Sequence, residues 1–158
     1  MDFRPISLCN TTYKLISKVL ANRLKLLLPS IISENQSAFI PGRLISDNVL
    51  IAFEFMHYLN QKNEGKESYM SIKLDMSKAF DRVEWNFIHE VMSKMGFAKK
   101  WVDLIMNCIS SVSYSIIING EACGNITPTR GLRQGDPLSS YLFLLCAEGF
   151  LALIHKAT

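Results

Sequence analysis

The sequence predicts an α+β fold, and three observations carry this. Residues 70–77 alternate apolar and polar side chains, the pattern of a strand with one buried and one wet face. Two β-prone runs, 113–119 and 121–127, flank Asn119-Gly120, a dipeptide suited to a tight hairpin turn. Much of the remaining sequence carries helical periodicity, with apolar residues recurring every three or four positions. The 158 residues suit one core, and 49% apolar with 20% charged excludes a disordered chain. A net charge of +3 permits an anionic partner without requiring one.

Residues 12–28 read as a helix closed by Pro29. Leu15, Ile16, Val19, Leu20, Leu24, Leu26 and Leu27 share one broad face. Lys14, Ser17, Lys18, Ala21 and Lys25 share the other. Arg23 projects from the middle of the apolar face and needs a partner there: a nearby Glu, or an anion bound by that face. Residues 33–43 have loop chemistry with Pro-Gly punctuation. Ser46 or Asp47 is expected to cap a helix running to about Asn60, and Gln61 to Ser68 to form an exposed connection.

The alternating strand follows. Asp75 lies near the end of its wet face, and Asp81 comes just after it. A carboxylate at a strand end can hold a hard cation and a phosphate in fixed geometry. The same pattern suits an ordinary wet-face residue. Residues 83–95 predict a helix with Val83, Phe87, Ile88, Val91, Met92 and Met95 inward, stopped by Gly96. A further helix covers roughly 98–110, and Pro128 ends the hairpin's second strand. Asp136 as N-cap and Pro137 in the first turn start a helix that runs to about Lys156. The loop before it, Gly131-Leu132-Arg133-Gln134-Gly135, is either a plain glycine-rich turn or a place where an anion, base or sugar meets the backbone.

Cys9, Cys108, Cys123 and Cys146 form no Cys-x-x-Cys pair and have no histidine at zinc spacing, so free thiols in a reducing compartment are expected. The N-terminal residues show no targeting signal. Pro137 to Ile154 is apolar, but Glu148 within it argues for a buried core helix and against a membrane span.

Five blocks, in order, resemble the reverse transcriptase of LINE-type (non-LTR) retrotransposons, especially those of plants. They are Phe3-Arg4-Pro5-Ile6-Ser7-Leu8, Tyr13-Lys14 through Arg23-Leu24, Gln36-Ser37-Ala38-Phe39-Ile40-Pro41-Gly42-Arg43, Leu74-Asp75-Met76-Ser77-Lys78-Ala79-Phe80-Asp81-Arg82-Val83, and Gly131-Leu132-Arg133-Gln134-Gly135-Asp136-Pro137-Leu138-Ser139. The resemblance implies part of a right-handed polymerase fold. Residues 1–68 would be fingers, and residues 69–158 an incomplete palm, an antiparallel sheet backed by helices. It implies addition of deoxynucleotides to a DNA primer on an RNA template, with two Mg²⁺ ions.

By position, Asp75 is then the catalytic, metal-binding aspartate, and the backbone at Met76 helps hold the triphosphate-bound metal. Phe80 is the aromatic gate that clashes with a ribose 2′-OH. Arg4 meets the triphosphate, and Gln134, Gly135 and Pro137 line the nucleotide and template side. Arg23, Arg43 and Arg133 are implied nucleic-acid contacts. The resemblance places the chain in nucleus or cytoplasm and says nothing of oligomeric state.

The family supplies its other metal carboxylates from an aromatic-Ala-Asp-Asp block, which this sequence does not contain. Asp81, Asp136 and Glu148 do not replace it by position. The expectation is a partial reverse transcriptase domain, inactive by itself, with an uncovered apolar face and marginal stability. The alternative is a non-catalytic nucleic-acid-binding remnant that uses Lys14, Lys18, Arg23, Arg43 and Arg133.

Overall fold

The computed structural model describes residues 7–62 and 69–157. Helices dominate, with one antiparallel hairpin, so the α+β expectation stands in a mostly helical form. Helix α1 spans Thr11–Ile31, and the Asn10 side chain accepts its early Tyr13 N–H at 2.7 Å. Its buried line is Ser17, Leu20, Ala21, Leu24 and Leu28. This corrects the expected faces. Leu15, Ile16, Val19, Leu26 and Leu27 are exposed, while Ser17 and Ala21 go inside. Small side chains let a helix approach a neighbour closely, so the packed stripe is narrower than the apolar one. Arg23 is exposed on the wet side, so it needs no buried partner. Pro29 also does not close the helix. It sits in the last turn, where the missing N–H forfeits a single bond, and the Ile32 N–H still reaches the Leu28 carbonyl at 3.0 Å.

Helix α2, Ile45–Gln61, begins after Leu44 as N-cap, not Ser46 or Asp47; Asp47 lies inside its first turn. None of its residues is buried against the described chain. Between α1 and α2, Arg43 donates to the carbonyls of Ser33 at 2.5 Å, Gln36 at 2.6 Å and Ile32 at 3.3 Å. One guanidinium thereby closes the whole Pro-Gly loop.

The expected strand at 70–77 is not formed. Residues 69–76 run without regular structure, and Ile72 and Leu74 are 67% and 70% exposed. Alternation records which way side chains would point on a strand. It does not supply a neighbour, and among the described residues the two strands of the Asn119-Gly120 hairpin pair with each other alone. A two-residue turn leads from this segment into a 3-10 turn at Ala79–Arg82.

The core lies between α3 (Trp85–Lys94), α4 (Lys99–Ser110) and α5 (Ser139–Ala157), with α1 against α5. Ile88, Met92, Ile105, Leu138, Leu142 and Leu145 are fully enclosed. Gly96, at φ +83°, ends α3: its N–H reaches the Ser93 carbonyl at 3.1 Å and the Phe97 N–H reaches the Met92 carbonyl at 3.1 Å. Strands β1 (Tyr114–Ile118) and β2 (Glu121–Ile126) pair through Ile118↔Glu121 and Tyr114↔Ile126, turning at Asn119-Gly120. The hairpin projects from the helices, with almost every residue exposed.

Helix α5 is long and apolar enough to cross a membrane by length and composition. Its first half is core, however, with Leu142, Leu144, Leu145 and Cys146 buried. Glu148 accepts from both the N–H and the hydroxyl of Ser33, each at 3.1 Å, and so ties α5 to the end of α1. Burial pushes the Cys146 thiol up to about 12, and all four cysteines are free thiols.

At Gly149, α5 lies against α3 so closely that an added Cβ would stand 2.6 Å from a Val91 methyl. Alanine in a helix gains roughly 1 kcal/mol over glycine. The stiff β-branched Val91 cannot give way cheaply, so Gly149→Ala is expected to destabilise by about 1–2 kcal/mol net. Denaturant melts of the two proteins check this, and a stabilised variant would show that α3 and α5 are loosely packed.

Candidate functional site

The site begins with a backbone clasp between two distant segments. The Leu132 N–H reaches the Phe80 carbonyl at 2.8 Å, and the Gly131 N–H reaches the Val83 carbonyl at 2.8 Å. The Trp85 indole N–H adds a bond to the Gly131 carbonyl at 2.8 Å. Glycine is required here for two reasons. Its φ is +91°, and a Cβ would lie 3.1 Å from the Asp81 carbonyl oxygen. Of the two readings the sequence left open for this loop, Gly131 takes the structural one: it admits its own chain. Phe80, half-buried, stacks on Phe143 of α5 with ring centres 4.8 Å apart and planes 10° apart. Its ring is therefore held from behind.

A polar knot anchors the next residues. Asp136 is 5% exposed. One of its oxygens accepts the Tyr13 hydroxyl at 2.6 Å, and the other accepts the Leu138 N–H at 3.0 Å. The second bond corrects the expected N-cap: the regular helix starts only at Ser139, so Asp136 closes its own turn two residues on, and Pro137 lies in that turn and not in the helix. Arg133 lies over the Tyr13 ring, 4.0 Å from its centre. It also donates to the Cys9 sulfur at 3.6 Å and the Cys108 carbonyl at 3.3 Å. Burial, then the hydrogen bond to Asp136, pushes the Tyr13 hydroxyl well above the usual phenol range, so it stays a donor.

Clasp and knot together frame a cleft of about 910 Å³. Asp75, Met76, Phe80 and Asp81 line one side, and Arg133, Gln134, Gly135 and Asp136 the other. Six of the expected site residues therefore meet: Asp75, Met76, Phe80, Arg133, Gln134 and Gly135. Gln134 and Gly135 are exposed on its rim. Pro137, half-buried beside Asp136, is not part of the lining. Arg23 on α1 and Arg43 in its loop lie elsewhere, and Arg4 falls outside the described residues. A second hollow of about 680 Å³, between α2 and residues 71–73, has a mainly apolar wall and holds none of the expected site residues.

Sequence reasoning missed three residues. Trp85 belongs to the clasp, and nothing in a helix-start tryptophan signals that. Tyr13 was read only as part of a motif. Lys78 lines the cleft in a left-handed conformation, φ 53°, unusual for a side-chain-bearing residue. The flanking residues gave no turn signal for it.

The donor set bears on how Mg²⁺ could be held. This ion commonly takes one or two carboxylates and completes its shell with substrate phosphates and water. Asp75 and Asp81 both line the cleft, whereas the Asp136 carboxylate is already engaged. Among the described residues no three His, Cys, Asp or Glu side chains converge. The lining therefore offers Asp75 and Asp81 as the carboxylates that could complete the shell of one Mg²⁺ carried in on a polyphosphate.

The clasp can be tested directly. Gly131→Ala forces a left-handed alanine against the Asp81 backbone and is expected to cost about 1–3 kcal/mol. A urea melt measures the loss, and an unchanged midpoint would mean that the two segments are not held this closely.

A sequence model described as "Reverse transcriptase (RNA-dependent DNA polymerase)" matches residues 1–158. The "Transposon TX1 uncharacterized 149 kDa protein" of Xenopus laevis is 34% identical over 155 residues, covering 98% of this chain and 12% of that protein. The "Retrovirus-related Pol polyprotein from type-2 retrotransposable element R2DM" of Drosophila melanogaster is 31% identical over 152 residues, 95% of this chain and 14% of that protein. The "Uncharacterized mitochondrial protein AtMg01250" of Arabidopsis thaliana is 61% identical over 41 residues, 26% of this chain and 34% of that protein. The chain thus spans about an eighth of the length of the first two relatives. The chain belongs to the reverse transcriptase family of RNA-dependent DNA polymerases and is related to the proteins of non-LTR retrotransposons.

Proposed function

We propose that this chain forms the nucleotide-binding part of a plant-like non-LTR reverse transcriptase, comprising fingers and part of the palm. The observation that carries the reading is the cleft itself. It gathers Asp75, Met76 and Phe80 from one block and Gln134 and Gly135 from another, 50 or more positions away in the chain. Asp75 holds the Mg²⁺ of an incoming deoxynucleoside triphosphate. The Met76 backbone lies beside it. Phe80, backed by Phe143, presents a ring that cannot retreat from a 2′-OH, which is what steric selection against ribose needs. Gln134 and Gly135 form the opposite rim, where base and template would lie.

The bound metal supplies charge neutralisation at the triphosphate. Asp75, exposed at the cleft, would orient it. Transfer to a primer end needs further carboxylates, and among the described residues none joins Asp75 and Asp81 to make a third ligand. The chain is therefore read as competent to bind nucleotide and, alone, incompetent to polymerise. The Arabidopsis match supports the plant-like character. The reading as a nucleic-acid-binding remnant loses weight because Arg43 and Arg133 are both occupied inside the fold. Lys14, Lys18 and Arg23 remain exposed on α1.

Two measurements test this. Titration of the chain with Mg²⁺ and a fluorescent deoxynucleoside triphosphate should show saturable binding. Asp75→Asn should weaken it roughly tenfold, as expected for loss of a charge-assisted contact. Primer extension on an RNA template with Mg²⁺ or Mn²⁺ should give no product. Extension that disappears in Asp75→Ala would overturn the claim that the chain is inactive alone.

A further inference from the structure

We propose that Tyr13 is a positioning residue for the cleft, acting through Asp136 and Arg133 to hold the Gln134–Gly135 rim in place. The inference rests on the nucleotide-binding reading of the cleft given above.

The rim is a two-residue turn between two anchors. On its N-terminal side, Arg133 is fixed by the Tyr13 ring, the Cys9 sulfur and the Cys108 carbonyl. On its C-terminal side, buried Asp136 is fixed by the Tyr13 hydroxyl and the Leu138 N–H. Tyr13 serves both anchors, its face to Arg133 and its hydroxyl to Asp136. A further bond runs from the Ser7 N–H to the Gln134 carbonyl at 3.3 Å, so the segment leading into α1 braces the rim itself. Tyr13 and Asp136 are 123 positions apart, and Tyr13 is not among the residues lining the cleft. Any effect on a nucleotide is therefore indirect.

Removal of the hydroxyl leaves a buried carboxylate one partner short. The cheapest relief is for Asp136 to turn toward water, and the cleft is where it meets water. That movement carries Gly135 and Gln134 with it. The high proton affinity of the Tyr13 hydroxyl keeps the donor available in ordinary buffers.

The test uses the full 158-residue chain, with Tyr13→Phe and, as a second variant that keeps the proposal falsifiable should the first fail to fold, Arg133→Lys. Arg133→Lys keeps the charge and loses the flat stack and the fork. Lys99→Ala, at an exposed pair on α4, is the reference. The probe is a fluorescent deoxyadenosine triphosphate with Mg²⁺, titrated well below each melting temperature, alongside hydrogen exchange across residues 131–138. Both variants should show faster exchange at Gly135 and Leu138 and roughly 3–10-fold weaker probe binding, the range for one lost hydrogen bond. The reference should show neither. Faster exchange or a lower melting temperature with unchanged affinity makes Tyr13 merely structural and overturns the proposal, as do variants unchanged in both readouts. An unsubstituted chain that fails to bind the probe overturns the cleft reading first, and this proposal with it.

Discussion

The approach of Gly131 to the Asp81 backbone is the constraint on which the cleft depends. Two main-chain bonds, Leu132 to Phe80 and Gly131 to Val83, join a 3-10 turn to a loop some fifty residues later. Main-chain bonds leave little play, because each group is fixed by its own peptide plane. The same contact sets the height of Phe80, which α5 supports through Phe143. Without it, Asp75 and Gln134 would belong to separate surfaces. The apolar core beneath is therefore the foundation of the site, while the clasp and the Tyr13 knot give it shape.

The rest of the surface is unusual for its apolar content. Much of α2, residues 69–76, one face of α1 and the end of α5 expose large apolar side chains, among them Phe53, Leu74, Leu26 and Leu153. Exposed apolar surface of this extent favours association in water. Both relatives named first are several times longer than this chain. The exposed faces of α1 and of residues 69–76 are also the places where local pattern and observed structure part company.

Legibility followed the range of the interaction. The C-terminal ends of α3 and α5 and the Asn119-Gly120 turn were readable because their signals act over two to five residues. The strand at 70–77 was misread because a strand is made by its neighbour, and alternation contains no information about one. Pro29 misled because proline's cost depends on whether the lost bond lies in the middle of a helix or in its last turn. Arg23 and Arg43 show the same point for charge. One was expected to be buried and is exposed; the other was expected at nucleic acid and binds three carbonyls of its own loop.

Alone, the sequence determined the helical periodicity, the turn chemistry and the set of residue blocks that mark the family. Those depend on neighbours along the chain or on descent. Only the tertiary structure decided that Asp75 shares a cleft with Gln134, that Gly131 makes room for Asp81 and not for a ligand, and that Tyr13 joins Arg133 to Asp136. These are contacts between groups fifty to more than a hundred residues apart. Their distances are set by how the helices pack, which no local pattern encodes.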